Sequence, residues 1–227
     1  MNSIKPDSLV LGFKSEIVLR PEELEEIGHN IHLVSYPKNE IIFRQNTPTS
    51  HIMFIKSGLV KIYKEGRNKR NFTLKLGSHG EFIGLMSVFG GEMNQYSASA
   101  ITQAEIGHIN LKTFTNVLNR NNEFAMAVMN ILSVEGLYIF ERLIGQSHKQ
   151  LPGRIADVIL YFADTIYGKE EFEFPLTRRE LAELAGTTKE SFIRTLAEFK
   201  NDKIISLEGS KVSINSMKII RTLSELG

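Results

Sequence analysis

Lys189, Glu190 and Arg194 set an ammonium, a carboxylate and a guanidinium close together in the stretch TTKESFIRTL, residues 187–196. On a helix these three groups reach across the first two turns, and their chemistry matches base edges. Arginine can pair with guanine O6 and N7, and glutamate can accept a hydrogen bond from cytosine N4. Each contact is worth about 1–3 kcal/mol of discrimination. Lysine can neutralise a phosphate or touch a guanine. A helix made only to hold phosphates would have little use for Glu190. The same i, i+4 spacing of Glu190 and Arg194 also suits a surface ion pair worth about 0.2–0.5 kcal/mol, so the surrounding elements must decide between the two.

Those elements are legible in PLTRRELAELAGTTKESFIRTLAEFKNDKIISLEGSKVSI. Thr177 with Glu180 three residues on is a capping-box signature, so a helix is expected to start there, with Leu181, Leu184 and Ala185 on its inner face. Gly186 can take the left-handed conformation that ends a helix in a tight turn. Thr187 or Thr188 then caps a second helix whose inner face is Phe192, Leu196 and Phe199, leaving Lys189, Glu190 and Arg194 outside. Two short helices about a glycine turn make a helix-turn-helix, and the start of its second helix is the part that enters the major groove. Thr177, Arg178, Thr188 and Ser191, at the two helix starts, complete the expected DNA contacts. KIISLEGSKVSI alternates around Glu208-Gly209 and reads as a two-stranded wing.

Upstream, the periodicity changes. After a short helical opening, RPEELEEIGHNI, come brief β-rich runs: IHLVSY, EIIFRQ, HIMFIKSGLVKIYKEG, NFTLKL, QYSASAIT and EIGHINL. In NFTLKL, Phe72, Leu74 and Leu76 alternate with Thr73 and Lys75, so the first three are expected inside and the last two in water. The fold class expected is α+β: an N-terminal antiparallel barrel or jelly roll, a long dimerisation helix and a C-terminal winged helix-turn-helix. The boundaries are residues 1–118 for an effector-sensing β roll, 119–150 for the dimerisation helix and hinge, and 151–227 for the DNA-binding domain. The long helix is expected from about Leu111 to Gln146. Along it Ala125, Met129, Leu132, Gly136, Ile139 and Leu143 form a heptad seam. A second stripe, Phe124, Val128, Ile131 and Tyr138, lies beside it. A helix with two stripes serves two surfaces, so Met129, Leu132, Gly136, Ile139 and Leu143 are assigned to a dimer interface. Pro152-Gly153 ends the run at a hinge.

Composition narrows the chemistry. The 227 residues are 42% hydrophobic and 23% charged, with a formal net charge of +1. From Leu151 onward 11 Lys and Arg face 12 Asp and Glu, so positive charge for DNA must be local. No signal peptide and no apolar run near the roughly 20 residues of a membrane span is apparent, and a cytoplasmic location without membrane partners is expected. There is no cysteine, which excludes disulfides, thiolate zinc sites and a cysteine nucleophile. The histidines at 29, 32, 51, 79, 108 and 148 are scattered and include no His-x-His. No metal site, catalytic residue or enzyme activity is expected.

Barrel, long helix and winged helix-turn-helix in this order resemble the Crp/Fnr family of bacterial transcription regulators, from about Leu19 to Leu223. The carriers are KNEIIFRQNTPTSHIMFIKSGLVKIY, LGSHGEFIGLMSVFGG, PGRIADVIL and LTRRELAELAGTTKESFIRTL. The resemblance implies a homodimer on double-stranded DNA, RNA polymerase as a partner, and reading of a TGTGA-like palindrome by Lys189, Glu190 and Arg194. It also implies a small-molecule pocket around Gly84, Leu85, Met86, Gln95, Tyr96, Ser97, Ile139 and Phe140. There the chain departs from the family. Members that bind cyclic AMP carry a glutamate where Leu85 stands and an arginine where Gln95 or Tyr96 stands, and hydroxyl residues where Ile139 and Phe140 stand. Cyclic AMP is therefore not the expected effector; the effector and any cofactor are left unknown. A haem- or other small-molecule-dependent sensor of the same family, or a β-roll module whose helix-turn-helix does not read DNA, is the alternative.

Overall fold

The computed structural model describes residues 19–66 and 71–227. The chain forms two compact units, Met1–Glu65 with Leu74–Leu137, and Gly66–Thr73 with Tyr138–Gly227.

The first unit opens with α1 (Pro21–His29) and then builds β1 (Ile31–Tyr36), β2 (Ile41–Phe43), β3 (His51–Ser57), β4 (Val60–Glu65), β5 (Asn71–Gly77) and β6 (Phe82–Ile83). A short helix, α2 (Leu85–Gly90), precedes β7 (Ser97–Ala100) and β8 (Ala104–Asn110). The strands form two four-stranded sheets, β1-β8-β3-β6 and β2-β7-β4-β5, in the antiparallel manner expected of a jelly roll. Within HIMFIKS the run IMFI, residues 52–55, is apolar without a break because both faces of β3 are covered there. Met53 and Ile55 join Val60, Ile62, Ala98 and Ile106 between the sheets. Ile52 and Phe54 point the other way, where Ile27 of α1, Phe114 and Val117 and then Phe124 and Val128 cover them. Phe54, Phe82, Phe114 and Phe124 meet edge to face, with centroids 5.7, 5.8 and 5.3 Å apart along the chain of contacts. Burial of each such ring contributes about 1.5–3 kcal/mol.

Three expectations are corrected here. The long helix is two helices, α3 (Leu111–Arg120) and α4 (Asn122–His148). Asn121 breaks the run at φ −122°, ψ 98°; its side-chain oxygen accepts from the Phe124 N–H at 2.9 Å and its amide donates to buried Glu23 at 2.6 Å. In β5 the in/out alternation fails. Thr73 is fully buried, and Lys75 lies inside because Glu81 and Glu135 neutralise it there. By length and composition alone, α4 is also apolar enough to cross a membrane, contrary to the expectation that no such run exists.

In the second unit α5 (Leu151–Leu160), with Pro152 in its first turn, continues into a π-helical segment, Tyr161–Tyr167. β9 (Glu171–Glu173), α6 (Arg178–Leu184), α7 (Lys189–Asn201), β10 (Ile205–Glu208), β11 (Lys211–Ile214) and α8 (Met217–Leu226) follow. Its sheet runs β10-β11-β9. At its centre Phe162 stacks on Phe172, and Phe174 meets both edge to face. Gly153 is required where it stands, since a Cβ there would lie 2.8 Å from the Leu223 carbonyl oxygen of α8.

Candidate nucleic-acid interface

The two helix starts are locked as their sequences demand. Thr177 accepts from the Glu180 N–H, and the Glu180 carboxylate accepts from the Thr177 N–H at 3.0 Å, closing the capping box of α6. Gly186 takes φ +63° in the turn. Thr188 caps α7 by accepting from the Ser191 N–H at 3.2 Å, and its hydroxyl meets that of Ser191 at 3.1 Å. Thr177, Thr188 and Ser191 thus spend much of their polar capacity on capping. Phe192, Thr195, Leu196 and Phe199 turn inward and are buried.

The outer face of α7 is then fixed by geometry. Lys189, Glu190 and Arg194 are all exposed, and none makes a hydrogen bond or ion pair with another described residue. The i, i+4 ion pair open to Glu190 and Arg194 is not formed. Between them stands Ile193, 43% exposed. The sequence reading gave Ile193 no role on this face, yet it sits three residues from Glu190 and adjoins Arg194, where an apolar group can meet a thymine methyl. Arg178 is engaged elsewhere: its guanidinium donates to the Gly209 carbonyl at the tip of the wing and lies 5.6 Å from the Phe174 ring. Burial lowers its pKa from the usual arginine value. Arg178 therefore ties the wing to the start of α6.

In the β roll the expected effector residues divide. Leu85 is buried in the core beneath the helices, and Met86 packs against the interior between the sheets. Gly84, at φ +97°, directs its N–H to the Tyr96 hydroxyl at 3.1 Å. Burial, and secondarily Glu135, push the Tyr96 pKa up to about 12, so the phenol stays protonated. Ser97 donates to Glu65 at 2.6 Å, and the Gln95 N–H donates to Ser87 at 3.1 Å. Nearby Lys75 is held by Glu135 and by Glu81 at 3.2 Å. Burial alone would depress its pKa; the two carboxylates outweigh that and raise it. Ile139 and Phe140 belong to the second unit, where Ile139 is half-buried and Phe140 is 65% exposed.

Of the proposed dimer residues, Met129 and Leu143 are exposed, and Leu132, Gly136 and Ile139 are half-buried. Phe124 and Val128, from the second stripe, are the ones that enter the core. The widest apolar exposure on α4 passes through Leu137 at 63%, Phe140 and Ile144 at 59%, a 3,4 spacing about one residue round from the assigned seam.

The fold also assembles histidines that the sequence scatters. His32 and His108 are register partners across β1 and β8. The His51 ring on β3 lies 6.0 Å from that of His108, and Tyr36 Oη is 3.0 Å from His108 Nε2. Burial first, then His51 and His32, lower the His108 pKa. No group of three or more His, Cys, Asp or Glu among the described residues is arranged to hold a metal ion.

Comparison with known proteins places both units. The family model described as a cyclic nucleotide-binding domain matches residues 33–121, and that described as a Crp-like helix-turn-helix domain matches residues 153–223. A CRP-like cAMP-activated global transcriptional regulator of Mycobacterium tuberculosis is 23% identical over 202 residues, 87% of this chain and 90% of the relative. The structure of FixK2 from Bradyrhizobium japonicum superposes with a TM-score of 0.78 at 18% identity, covering 85% of this chain and 96% of that one. The c-di-GMP responsive global regulator CLP of Xanthomonas campestris does so with a TM-score of 0.76 at 20% identity, covering 87% and 100%.

Proposed function

Because the chain belongs to the Crp/Fnr family of transcription regulators, we propose that it acts as a cytoplasmic homodimer. In this reading it binds a TGTGA-like palindrome, with RNA polymerase as a partner on the DNA. Residues 1–118 sense, 119–150 pair the subunits and 151–227 read the DNA. The observation that carries the proposal is the unengaged outer face of α7. A buried Glu190 or Arg194 could not reach a base edge, and a pair between them would compete with one, whereas both side chains are exposed and unpaired among the described residues. Two such faces related by a dyad would lie about one DNA turn, roughly 34 Å, apart.

The effector is not cyclic AMP, although the M. tuberculosis relative is cAMP-activated by its name. A cyclic phosphate needs a cation or free backbone N–H groups. Here the Gly84 N–H is taken by Tyr96, the half-buried cation Lys75 is neutralised by two carboxylates, and Leu85 is apolar and buried. Glu135 and Glu81 would repel the incoming phosphate. Calorimetric titration of the protein with cyclic AMP is expected to give no saturable heat up to roughly 1 mM, an affinity of about −4 kcal/mol. A saturable isotherm at micromolar concentration would contradict this.

A further inference from the structure

The second unit bears a half-open cavity of about 320 Å³ beside the joint where the C-terminal end of α4 meets the helix-turn-helix, and we propose that it is a binding site for a small carboxylate- or phosphate-bearing metabolite. Tyr138, Arg142, Gln146, Arg154, Asp157 and Tyr161 are among the residues that line it. The volume falls within the range of about 300–1,000 Å³ usual for small-molecule sites.

The polar groups identify the class of occupant. Two atoms of lining residues, Arg154 Nε and Gln146 Nε2, are buried without a hydrogen-bond partner. Both are donors. Leaving a buried donor unmet is costly in a folded protein, so an occupant supplying acceptor oxygens gains where one supplying donors would not. The lining carboxylates are otherwise disposed. Asp157 accepts from Lys149 at 2.7 and 2.9 Å and from Ser224 at 2.5 Å, and Asp164 pairs with Arg221 at 3.1 Å. Glu141 also lines the cavity, but it is exposed and solvated. Arg154 forms no ion pair among the described residues, and a planar guanidinium presents two donors side by side to a carboxylate or phosphate.

The position gives the site a purpose. Arg154 Nη1 already donates to the Gly186 carbonyl at 3.0 Å, and Arg142 donates to the Leu184 carbonyl. A Cβ at Gly186 would lie 3.0–3.3 Å from the Gln146 amide group. Arg154 and Arg142 thus hold the turn between α6 and α7, Gln146 lies against it, and all three residues line the cavity as well. An oxyanion engaging Arg154 Nε and Gln146 would steady the turn that presents α7.

The site is independent of the DNA-binding proposal, so it is tested on the free protein. Inorganic phosphate and succinate serve as probes, with chloride at matched ionic strength as the control. Thermal unfolding is expected to shift upward saturably with one or both probes, with half-saturation at roughly 1–10 mM, the weak affinity that a probe of few atoms can reach. Arg154→Gln is expected to weaken that dependence at least tenfold. A larger response to phosphate points to a phosphorylated metabolite, and a larger one to succinate to a carboxylic acid. Arginine Nε–H resonances of the wild-type protein give a readout that needs no variant, and a single Nε–H signal is expected to move with the same midpoint. No saturable response to either probe beyond chloride, no moving Nε–H signal, or an undiminished response in Arg154→Gln overturns the proposal.

Discussion

Replacing Phe140 by aspartate is expected to leave the chain monomeric and to weaken its binding to a palindromic site by about 100-fold or more. Leu137, Phe140 and Ile144 leave more than half of each side chain in water, along a 3,4 spacing that a second α4 could cover. A contiguous apolar strip of this kind on one chain marks an interface. Phe140 is 65% exposed and belongs to no buried core, so the substitution should spare the fold, which circular dichroism checks. Two facing carboxylates would instead be placed in the seam between subunits, where burying like charges is prohibitive. The cost on DNA follows from valency. A dimer that has placed one recognition helix presents the second at high effective concentration, and losing that coupling removes about 10²–10⁴ in apparent affinity without any change in a base contact. Sedimentation velocity reads the first effect and fluorescence anisotropy on a palindromic duplex the second. A dimeric Phe140→Asp protein would remove this face from the interface and return the choice to the seam through Met129, Leu132, Gly136, Ile139 and Leu143.

The Arg194→Ala protein should stay folded and dimeric yet lose at least about 30-fold in affinity for the palindrome. A base contact is worth about 1–3 kcal/mol, and two independent half-sites roughly double it to about 2–6 kcal/mol. The loss should be specific. Because Arg194 is exposed and its side chain makes no hydrogen bond or ion pair among the described residues, removing it should cost little stability. Binding to unrelated DNA, which rests on phosphate contacts, should change far less. Lys189→Ala serves as the contrast if Lys189 meets a phosphate: it would weaken all sequences alike and reduce the salt dependence by about one ion per half-site. Competition of specific against random duplex, at one salt concentration, measures both. Equal losses on both duplexes would reassign Arg194 to the phosphate backbone.

What the sequence made legible and what it hid follow one physical line. The helix-turn-helix could be read because its signals are local. Thr177 and Glu180 are three residues apart, Gly186 needs only its own backbone conformation, and the Thr188 cap acts on Ser191. The jelly roll could be read as a class, since glycine turns and apolar runs are local too. Individual strands could not always be oriented. Thr73 and Lys75 look solvated until Glu81 and Glu135 are brought to Lys75, and the latter lies 60 residues away. Asn121 seems an ordinary helical residue until Glu23, 98 residues distant, takes its amide. The same holds for His32, His51 and His108, which only the β1-β8-β3 order makes neighbours, and for the cavity beside Arg154. Ile193 could have been found by counting four residues on from Lys189 and one back from Arg194. In the effector region, the substitutions Leu85 and Gln95 signalled a loss. The Tyr96 hydroxyl on Gly84, which takes over the donor, needed coordinates.

The central claim is that two copies of the outer face of α7 read DNA bases. In vitro selection from random duplexes with purified, ligand-free protein tests it most directly. The selected pool should converge on an inverted repeat of TGTGA-like half-sites whose centres are about one helical turn apart, roughly 10–10.5 base pairs. A pool that stays random, or one that converges on a lone half-site, would contradict it.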